Sequence, residues 1–333
     1  MKITILNFWL MPAMLVFVAA SACTGGTVGT QGSQPRTVVS VPAFSADSAY
    51  AYVAAQVAFG PRVPGSEAHR LCADYLSATL TRMGAAVTVQ KADVEVFDGQ
   101  TVPMYNVIGS FRPEKRNRIM LCSHWDSRPF ADHDSDPARR DAPIDGANDG
   151  ASGVGVLLEV ARHLGTVPAQ LGVDIIFFDV EDYGLPDHRD VGYKPDTWCL
   201  GSQYWGRHPH APGYEARYGI LLDMVGAADA VFCRELYSKQ TAPHVVDAVW
   251  DAAARLGYGS LFVRSDGGSI TDDHVYVNRL RGFPCIDIIH YEPHSSTGFC
   301  RTWHTQDDRL ENISRPTLQA VGRTVMEVIY NER

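Results

Sequence analysis

Carboxylates and histidines that could bind a metal recur in separated segments of this 333-residue chain. In zinc enzymes, imidazole and carboxylate groups hold the ion and leave one position open for water or substrate. Asp149, Asp182 and His304 would supply three such ligands. Glu181 would be free to move protons, because neighbouring residues at the end of a strand point in different directions. This combination predicts a zinc-dependent catalytic site.

Several acidic and histidine residues follow or lie within apolar runs that are typical of buried strands, whereas Asp149 stands just before a predicted helix and His304 lies in a polar loop. The run 119–123 precedes His124, and the run 175–178 precedes Glu181. Asp223 lies within a third run of this kind. In α/β sheets, catalytic groups gather in the loops at the carboxyl ends of strands. We therefore expect these side chains to meet at one edge of a sheet.

The alternation of apolar patterns predicts an α/β fold. Apolar residues at helical spacing alternate with short apolar runs that are bounded by turn residues. Such alternation indicates a mixed sheet sandwiched by helices, within one catalytic domain that spans residues 43–333. The predicted helices are 45–59, 67–83, 151–164, 243–256 and 316–330, and the predicted strands are 86–96, 105–111, 119–123, 173–178, 219–225 and 285–290.

Residues 1–22 have the pattern of an export signal. Lys2 precedes an apolar stretch at 3–20, and small residues then lead to Cys23. This pattern resembles a bacterial lipobox, in which cleavage leaves Cys23 as a lipidated amino terminus; a plain secretory signal is the alternative. Residues 23–42 are mainly Thr, Gly, Ser, Gln, Val and Pro, which predicts a flexible tether. We expect a domain in the periplasm of the bacterial envelope, held to the membrane by a lipid anchor.

Charge and cysteine content limit the function further. The formal net charge is −9 and there is no basic stripe, which argues against nucleic acid as a partner. An exported chain lies in a compartment that permits disulfides, but the pairing of its seven cysteines cannot be read from the sequence. None of these cysteines forms a C-x-x-C pair of the kind that binds zinc.

Four motifs occur in order along the chain: Ser-His-Trp-Asp-Ser at 123–127, Gly-Ala-Asn-Asp-Gly-Ala-Ser-Gly at 146–153, Phe-Phe-Asp-Val-Glu-Asp at 177–182 and Trp-His-Thr-Gln-Asp-Asp at 303–308. Together they resemble the signature of the zinc aminopeptidase superfamily over about residues 45–330. Within that superfamily, the segments 221–227, 271–274 and 303–305 are similar to the animal-type glutaminyl cyclases. The resemblance implies a three-layer α/β sandwich with a central mixed, mostly parallel sheet.

The resemblance also implies roles for individual residues. It makes Asp149, Asp182 and His304 the ligands of one zinc ion per chain, and it makes Glu181 the general acid and base. Animal cyclases have Glu at the position of Asp182, so this shorter side chain departs from their pattern. The remaining positions are Asp223 and Asp272, which would hydrogen-bond with one another and steady the leaving group, and Phe299 and Trp303, which would form the rim of the pocket.

The implied reaction converts N-terminal glutaminyl residues of peptides and proteins to pyroglutamate and releases ammonia. A dinuclear zinc aminopeptidase is the first alternative, because His124 and Asp223 could join the three ligands and hold a second ion. A non-catalytic envelope binding lipoprotein is the second alternative. The intact Glu181 counts against it, because binding alone needs no proton-transfer group beside the metal.

Several residues have a second interpretation. Asp149 could cap the helix that follows it, which is a common use of Asp. Trp198 and Trp205 could line a substrate cleft or anchor a long loop. Asp308 could orient the nearby imidazole or be solvated. The charged segment 132–141 is predicted to be a solvated loop.

Overall fold

Within residues 40–190, 192 and 194–333, which this computed structural model describes, six strands form one mixed sheet and two more form a small parallel sheet. The strands are β1 (Ala86–Glu95), β2 (Thr101–Phe111), β3 (Arg118–His124), β4 (Gly172–Phe178), β5 (Gly219–Asp223), β6 (Phe232–Arg234), β7 (Phe262–Asp266) and β8 (Cys285–Ile289). The large sheet has the order β1-β2-β4-β3-β5-β8. Strands β4, β3, β5 and β8 are parallel, whereas β1 and β2 form an antiparallel extension. The predicted mixed, mostly parallel sheet is confirmed.

Helices cover both faces of the large sheet and complete a three-layer sandwich. They are α1 (Ala46–Val57), α2 (Glu67–Arg82), α3 (Ala151–Leu164), α4 (Leu200–Arg207), α5 (Leu236–Thr241), α6 (Pro243–Arg255), α7 (Asp273–Arg281) and α8 (Arg315–Asn331). Successive side chains of a strand point to opposite faces. Leu121 and Phe177 pack in the cluster that includes α1, α2, α3, α6 and α8. Their neighbours Cys122 and Phe178 pack on the other face against α4 and α7.

The helices and strands named from the sequence are all present, with ends that differ by a few residues. Strand β2 begins at Thr101 rather than at residue 105, because Val102 and Pro103 already pair with β1. Pro103 interrupts the apolar pattern, so the sequence does not predict this part of the strand. The sequence pattern does not predict α4, α5, α7, β6 or β7, since these elements are short and most of them are polar.

Helix α3 packs unusually close to the sheet, and this contact fixes the loop that carries Asp149. A Cβ atom added at Gly153 would lie 2.3 Å from the carbonyl oxygen of Leu222. The N-cap residue is Gly150, whose φ of 92° favours glycine, and no side chain caps the helix. The interpretation of Asp149 as a helix cap is therefore wrong, and its carboxylate is left for other contacts.

The predicted signal at 1–22, the lipidation site Cys23 and nearly all of the tether at 23–42 lie outside the described residues, so these calls stay predictions. In the part of the chain that is described, no helix has both the length and the apolar character that a membrane crossing requires. The six cysteines in that part are all buried and free.

Candidate active site

Asp149, Asp182 and His304 meet at the carboxyl edge of the parallel strands, as the sequence predicts. Asp149 lies just before α3, Asp182 follows β4, and His304 lies in the loop between β8 and α8. His304 Nε2 is 3.2 Å from Asp182 Oδ1 and 3.7 Å from Asp149 Oδ2. All three side chains are buried.

The unpaired oxygens of this trio fit a zinc ion. Asp149 Oδ2 and Asp182 Oδ2 are buried, and neither has a hydrogen-bond partner among the described residues. Burial and the charge of Asp149 raise the pKa of Asp182. Buried carboxylate oxygens need donors or a cation. One ligand atom from each residue, within 4.8 Å of the others, is a donor set that zinc accepts while one position stays open.

Glu181 lies beside this trio and is only half-buried. Burial raises the pKa of its carboxyl group well above the ordinary value, and the charges of Asp272 and Asp182 add to the effect against the opposing charge of His124. A carboxyl group with a raised pKa can accept and return a proton near neutral pH. Its position next to the metal trio suits the predicted acid–base role.

Two buried carboxylates hold the backbone of the site in place. Asp126 accepts hydrogen bonds from the backbone N–H groups of Glu181 at 3.2 Å and Asp182 at 3.1 Å. Asp308 accepts from the backbone N–H groups of Asn148 at 2.7 Å and Asp149 at 3.0 Å. Asp308 is therefore neither solvated nor a partner of the imidazole: it positions the loop before α3.

The prediction of a solvated loop at 132–141 is wrong at Asp132 and Asp134, which are both buried. Asp132 is buried, and its oxygens accept from Arg128 Nε at 2.7 Å and Arg128 Nη2 at 2.6 Å. Asp132 Oδ1 also lies 3.3 Å from His304 Nδ1. A carboxylate in this place orients a ligating imidazole and fixes its tautomer. Sequence reasoning missed both Asp132 and Arg128, because their charges are typical of a surface loop.

His124 joins the metal trio to Asp223. His124 Nε2 is 3.0 Å from Asp149 Oδ1 and 3.2 Å from Asp223 Oδ1, and His124 Nδ1 is 3.4 Å from Asp126 Oδ1. Burial opposes protonation of His124, but the three carboxylates outweigh it and raise the pKa of the imidazole well above its ordinary value. A protonated His124 neutralises part of the negative charge between Asp149 and Asp223.

Asp223 and Asp272 face the same cavity, but no hydrogen bond joins their carboxyl groups among the described residues. Asp272 is the N-cap of α7, where its side chain accepts from the backbone N–H of Asp273. Burial and the charge of Asp223 raise the pKa of Asp272 to about 7. The predicted hydrogen bond between Asp223 and Asp272 is therefore not present, and the two carboxyl groups interact through their charges instead.

A cavity of about 590 Å³ opens above these groups, and all eight residues predicted for the catalytic, metal and substrate sites line it. The Trp303 ring stacks on His304 with 3.7 Å between centroids, and Phe299 packs on Trp303 at 4.6 Å. Trp198 also lines the cavity, whereas Trp205 is fully buried in the layer of α4. Tyr291 is a further wall residue that the sequence analysis did not single out.

Known proteins resemble this chain over most of its length. The chain is 55% identical to a glutaminyl cyclase from Tannerella forsythia, with a TM-score of 0.86 over 88% of this chain and 100% of the other. It is 56% identical to a Zn-dependent exopeptidase from Parabacteroides distasonis, with a TM-score of 0.87 over 88% of this chain and 100% of the other. A glutaminyl-peptide cyclotransferase from Gloydius blomhoffii is 27% identical over 308 residues, which cover 81% of this chain and 77% of that protein. The model of peptidase family M28 matches residues 106–329, so this chain belongs to peptidase family M28.

Proposed function

We propose that this protein is a zinc-dependent glutaminyl cyclase. It converts N-terminal glutaminyl residues of peptides and proteins to pyroglutamate and releases ammonia. The observation that carries the proposal is the cavity in which a metal trio, a half-buried acid–base carboxylate and an aromatic wall surround one space. The likeness to the glutaminyl cyclase of Tannerella forsythia supports the choice of reaction.

The reaction is intramolecular. The α-amine of the substrate attacks the carbon of its own side-chain amide, so that a ring C–N bond forms and the bond to the amide nitrogen breaks. One proton must leave the amine and one must reach the departing nitrogen, which then leaves as ammonia. Because both reacting groups belong to one residue, correct orientation can lower the barrier by about 7–11 kcal/mol.

Glu181 carries the proton between these two nitrogens. Its raised pKa allows it to take the proton from the attacking amine and return it to the leaving group. Asp223 and Asp272 lie on the same cavity and would steady the departing nitrogen by accepting hydrogen bonds. Asp149, Asp182 and His304 would hold a zinc ion, which would supply Lewis-acid polarisation of the amide oxygen.

The aromatic wall selects and orients the glutaminyl side chain. Trp303 and Phe299 pack on one another beside His304, and they present flat apolar surface close to the metal trio. A short side chain with one polar end fits a site of this kind, in which apolar walls exclude water and a few polar groups fix the orientation. This role makes Trp303 and Phe299 the substrate-binding residues.

We expect one zinc ion per chain. His124 Nε2 lies 3.0 Å from Asp149 Oδ1 and 3.2 Å from Asp223 Oδ1, so a protonated imidazole would supply positive charge where a second ion would otherwise lie. Elemental analysis of the active protein tests this count. Two tightly held zinc ions per active chain would contradict it.

A dinuclear zinc aminopeptidase is the second candidate, and one observation favours it. The ligand atoms of His124, Asp149 and Asp223 lie within 4.8 Å of one another, which is a second donor set of the kind that binds a metal. If His124 lost its proton, these residues could hold another ion beside the first. The likeness to the Zn-dependent exopeptidase from Parabacteroides distasonis also supports this candidate.

Product analysis separates the two reactions. The purified protein is incubated with a Gln-initiated peptide, with the same peptide carrying an acetylated amine, and with a Leu-initiated peptide of matched length. A cyclase removes only ammonia from the first peptide and leaves the other two intact. An aminopeptidase shortens the free Gln and Leu peptides by one residue. Shortened products without any pyroglutamyl peptide would reject the cyclase, and the absence of both products would favour a non-catalytic binding protein.

Attachment to the bacterial envelope is part of the proposal. The small residues before Cys23 and the apolar stretch at 3–20 support export and lipidation, and the composition of 23–42 supports a tether. A lipidated Cys23 would keep the catalytic domain at a membrane surface in the periplasm. Peptides and proteins with N-terminal Gln would reach the site there.

A further inference from the structure

Cys199 contacts Glu181 through both its backbone and its side chain. Its backbone N–H donates to the carbonyl oxygen of Glu181 at 2.9 Å, and its Sγ lies 3.0 Å from Glu181 Oε1. The thiol is the only hydrogen-bond partner that the described residues offer to the Glu181 carboxylate. The group that is to carry the proton is thus anchored at one oxygen, and Oε2 is left without a protein donor.

The backbone of Cys199 is held rigidly where this contact forms. Cys199 is the N-cap of α4 and has a left-handed φ of 57°, which is costly for a residue with a Cβ atom. The next N–H, that of Leu200, donates to the carbonyl oxygen of Val180 at 2.9 Å. A Cβ atom added at Gly201 would lie 2.1 Å from the carbonyl oxygen of Asp179. The start of α4 is therefore locked onto the turn that carries Glu181.

The environment of Cys199 favours the protonated thiol, which can donate a hydrogen bond. Cys199 is fully buried and is not among the residues that line the cavity. Burial, together with the charge of Glu181, raises the pKa of the thiol well above its ordinary value. A thiol that keeps its proton is neither a nucleophile nor a metal ligand, but it can donate a hydrogen bond to a carboxylate.

We propose that Cys199 is a positioning residue for the Glu181 carboxylate, an inference that rests on the proposed cyclase function. Its S–H group holds Oε1 and leaves Oε2 as the oxygen that exchanges protons with the substrate. A weak donor suits this task, because an Arg or Lys in the same place would hold the carboxylate ionised and hinder the return of the proton. Cys199 thus restrains the geometry of Glu181 without fixing its charge.

Two substitutions at Cys199 test the inference, with a matched control at another fully buried cysteine. Cys199→Ala removes the donor, whereas Cys199→Ser keeps one. Cys72→Ala removes the same atoms from the core cluster around α1 and α2. For each variant, zinc content, melting temperature, kcat and KM are measured with a Gln-initiated peptide. Zinc content and melting temperature identify any variant whose fold or metal site is damaged.

We expect Cys199→Ala to keep its zinc and its KM but to lower kcat about tenfold or more, since a misplaced catalytic group loses rate rather than binding. Cys199→Ser should recover most of the lost kcat, and Cys72→Ala should change stability alone. A purely structural role would lower stability in both Cys199 variants without a rescue by serine. A kcat for Cys199→Ala equal to that of the wild type, or a Cys199→Ser variant as slow as Cys199→Ala, would overturn the inference.

Infrared spectroscopy tests the contact itself without relying on activity. The S–H stretching band of Cys199 is identified by its loss in Cys199→Ala, and a hydrogen bond to a carboxylate should place it below the band of Cys72. In Glu181→Gln the Cys199 band should move towards higher frequency, because an amide oxygen is a weaker acceptor than a carboxylate. A Cys199 band that Glu181→Gln leaves unchanged would refute the positioning contact. Failure of the wild type to form pyroglutamyl peptide would instead refute the proposed function, and the infrared result would still decide whether the contact exists.

Discussion

Replacing Asp126 with Asn should displace Glu181 and Asp182 together, because one carboxylate holds the backbone of both. Asp126 Oδ1 accepts from the N–H of Glu181 at 3.2 Å, and Oδ2 accepts from the N–H of Asp182 at 3.1 Å. The Asp126 side chain is fully buried. An Asn side chain can keep only one of these bonds, because its amide has a single acceptor oxygen. Its NH₂ group would replace the other carboxylate oxygen of Asp126, and it cannot accept a hydrogen bond from a backbone N–H.

The size of the effect follows from the two hydrogen bonds. A bond to a charged group contributes about 1.5–3 kcal/mol, and a buried donor left without a partner costs about 1–3 kcal/mol. We therefore expect Asp126→Asn to lower the free energy of unfolding by about 3–5 kcal/mol, which corresponds to a fall in Tm of about 10 °C. A displacement of about 1 Å at the acid–base group can lower the rate about 10²-fold. Loss of a partner behind a metal ligand lowers metal affinity about 10–100-fold.

Three measurements on the same protein check this prediction: Tm, zinc content after dialysis, and kcat/KM for ammonia release from a Gln-initiated peptide. Asp98→Asn is the matched control, because it makes the same chemical change at an exposed carboxylate that accepts from the N–H of Gln100 at 3.0 Å. The control should resemble the wild type in all three. If Asp126→Asn also keeps the wild-type Tm and kcat/KM, the argument that Asp126 positions the catalytic turn is refuted.

Other substitutions test separate parts of the molecule. Glu181→Gln should keep its zinc but lower kcat about 10²–10⁴-fold, as loss of a general acid–base group does, whereas His304→Ala should lose the metal; elemental analysis and ammonia release distinguish the two. Cys23→Ser should move the protein from the membrane fraction to the soluble periplasmic fraction with unchanged kcat, and continued membrane association would reject lipidation. Although burial raises it, the contact with His274 at 3.3 Å and the hydrogen bond that the Ser238 N–H donates hold the pKa of Glu235 at about 2, below its ordinary 4.5. A lowered pKa stabilises the folded state above pH 4.5 and loses this effect as the pH falls towards 2. Glu235→Gln should therefore flatten the fall in urea stability over this pH range.

The meeting of Asp149, Asp182 and His304 could be predicted in large part from the sequence, because Asp149 and Asp182 lie next to elements with a clear local signal. Asp182 comes shortly after a fully apolar run, and Asp149 precedes a helix with regular apolar spacing. Parallel strands bring their carboxyl ends to one edge, so residues that are far apart in the chain meet there. His304 has a weaker local signal, and only the motif at 303–308 places it in the site.

The carboxylates behind the trio could not be predicted in the same way. Arg128 contacts the side chain of Asp182 across 54 residues of sequence, and Asp308 reaches the N–H of Asn148 across 160. Nothing in a short window distinguishes such a buried charge from a solvated one. Asp132 shows the consequence, because its acidic and basic neighbours indicate a surface loop although the side chain itself is buried against Arg128.

The contact between Cys199 and Glu181 could not be predicted from the sequence for a related reason. Residues around Cys199 are rich in Gly and Pro and carry no periodic apolar pattern, so the sequence does not predict α4. The contact depends on the left-handed turn at Cys199 and on the close approach at Gly201. Both are tertiary features that become visible only when α4 packs against the end of β4.

The charge balance around His124 bears on the choice between the cyclase and the aminopeptidase reactions. Asp149, Asp182 and Asp223 place three buried carboxyl groups near one another. A single zinc ion held by Asp149, Asp182 and His304 would leave negative charge beside Asp223. A protonated His124 supplies the missing positive charge through Nε2, which lies 3.0 Å from Asp149 Oδ1 and 3.2 Å from Asp223 Oδ1. A neutral His124 would free the same nitrogen to bind a second metal, because imidazole is a ligand only without that proton. We therefore expect a protonated His124 to favour a site with one ion, which suits attack by the substrate's own amine, and a neutral His124 to favour a site with two ions, which suits attack by water.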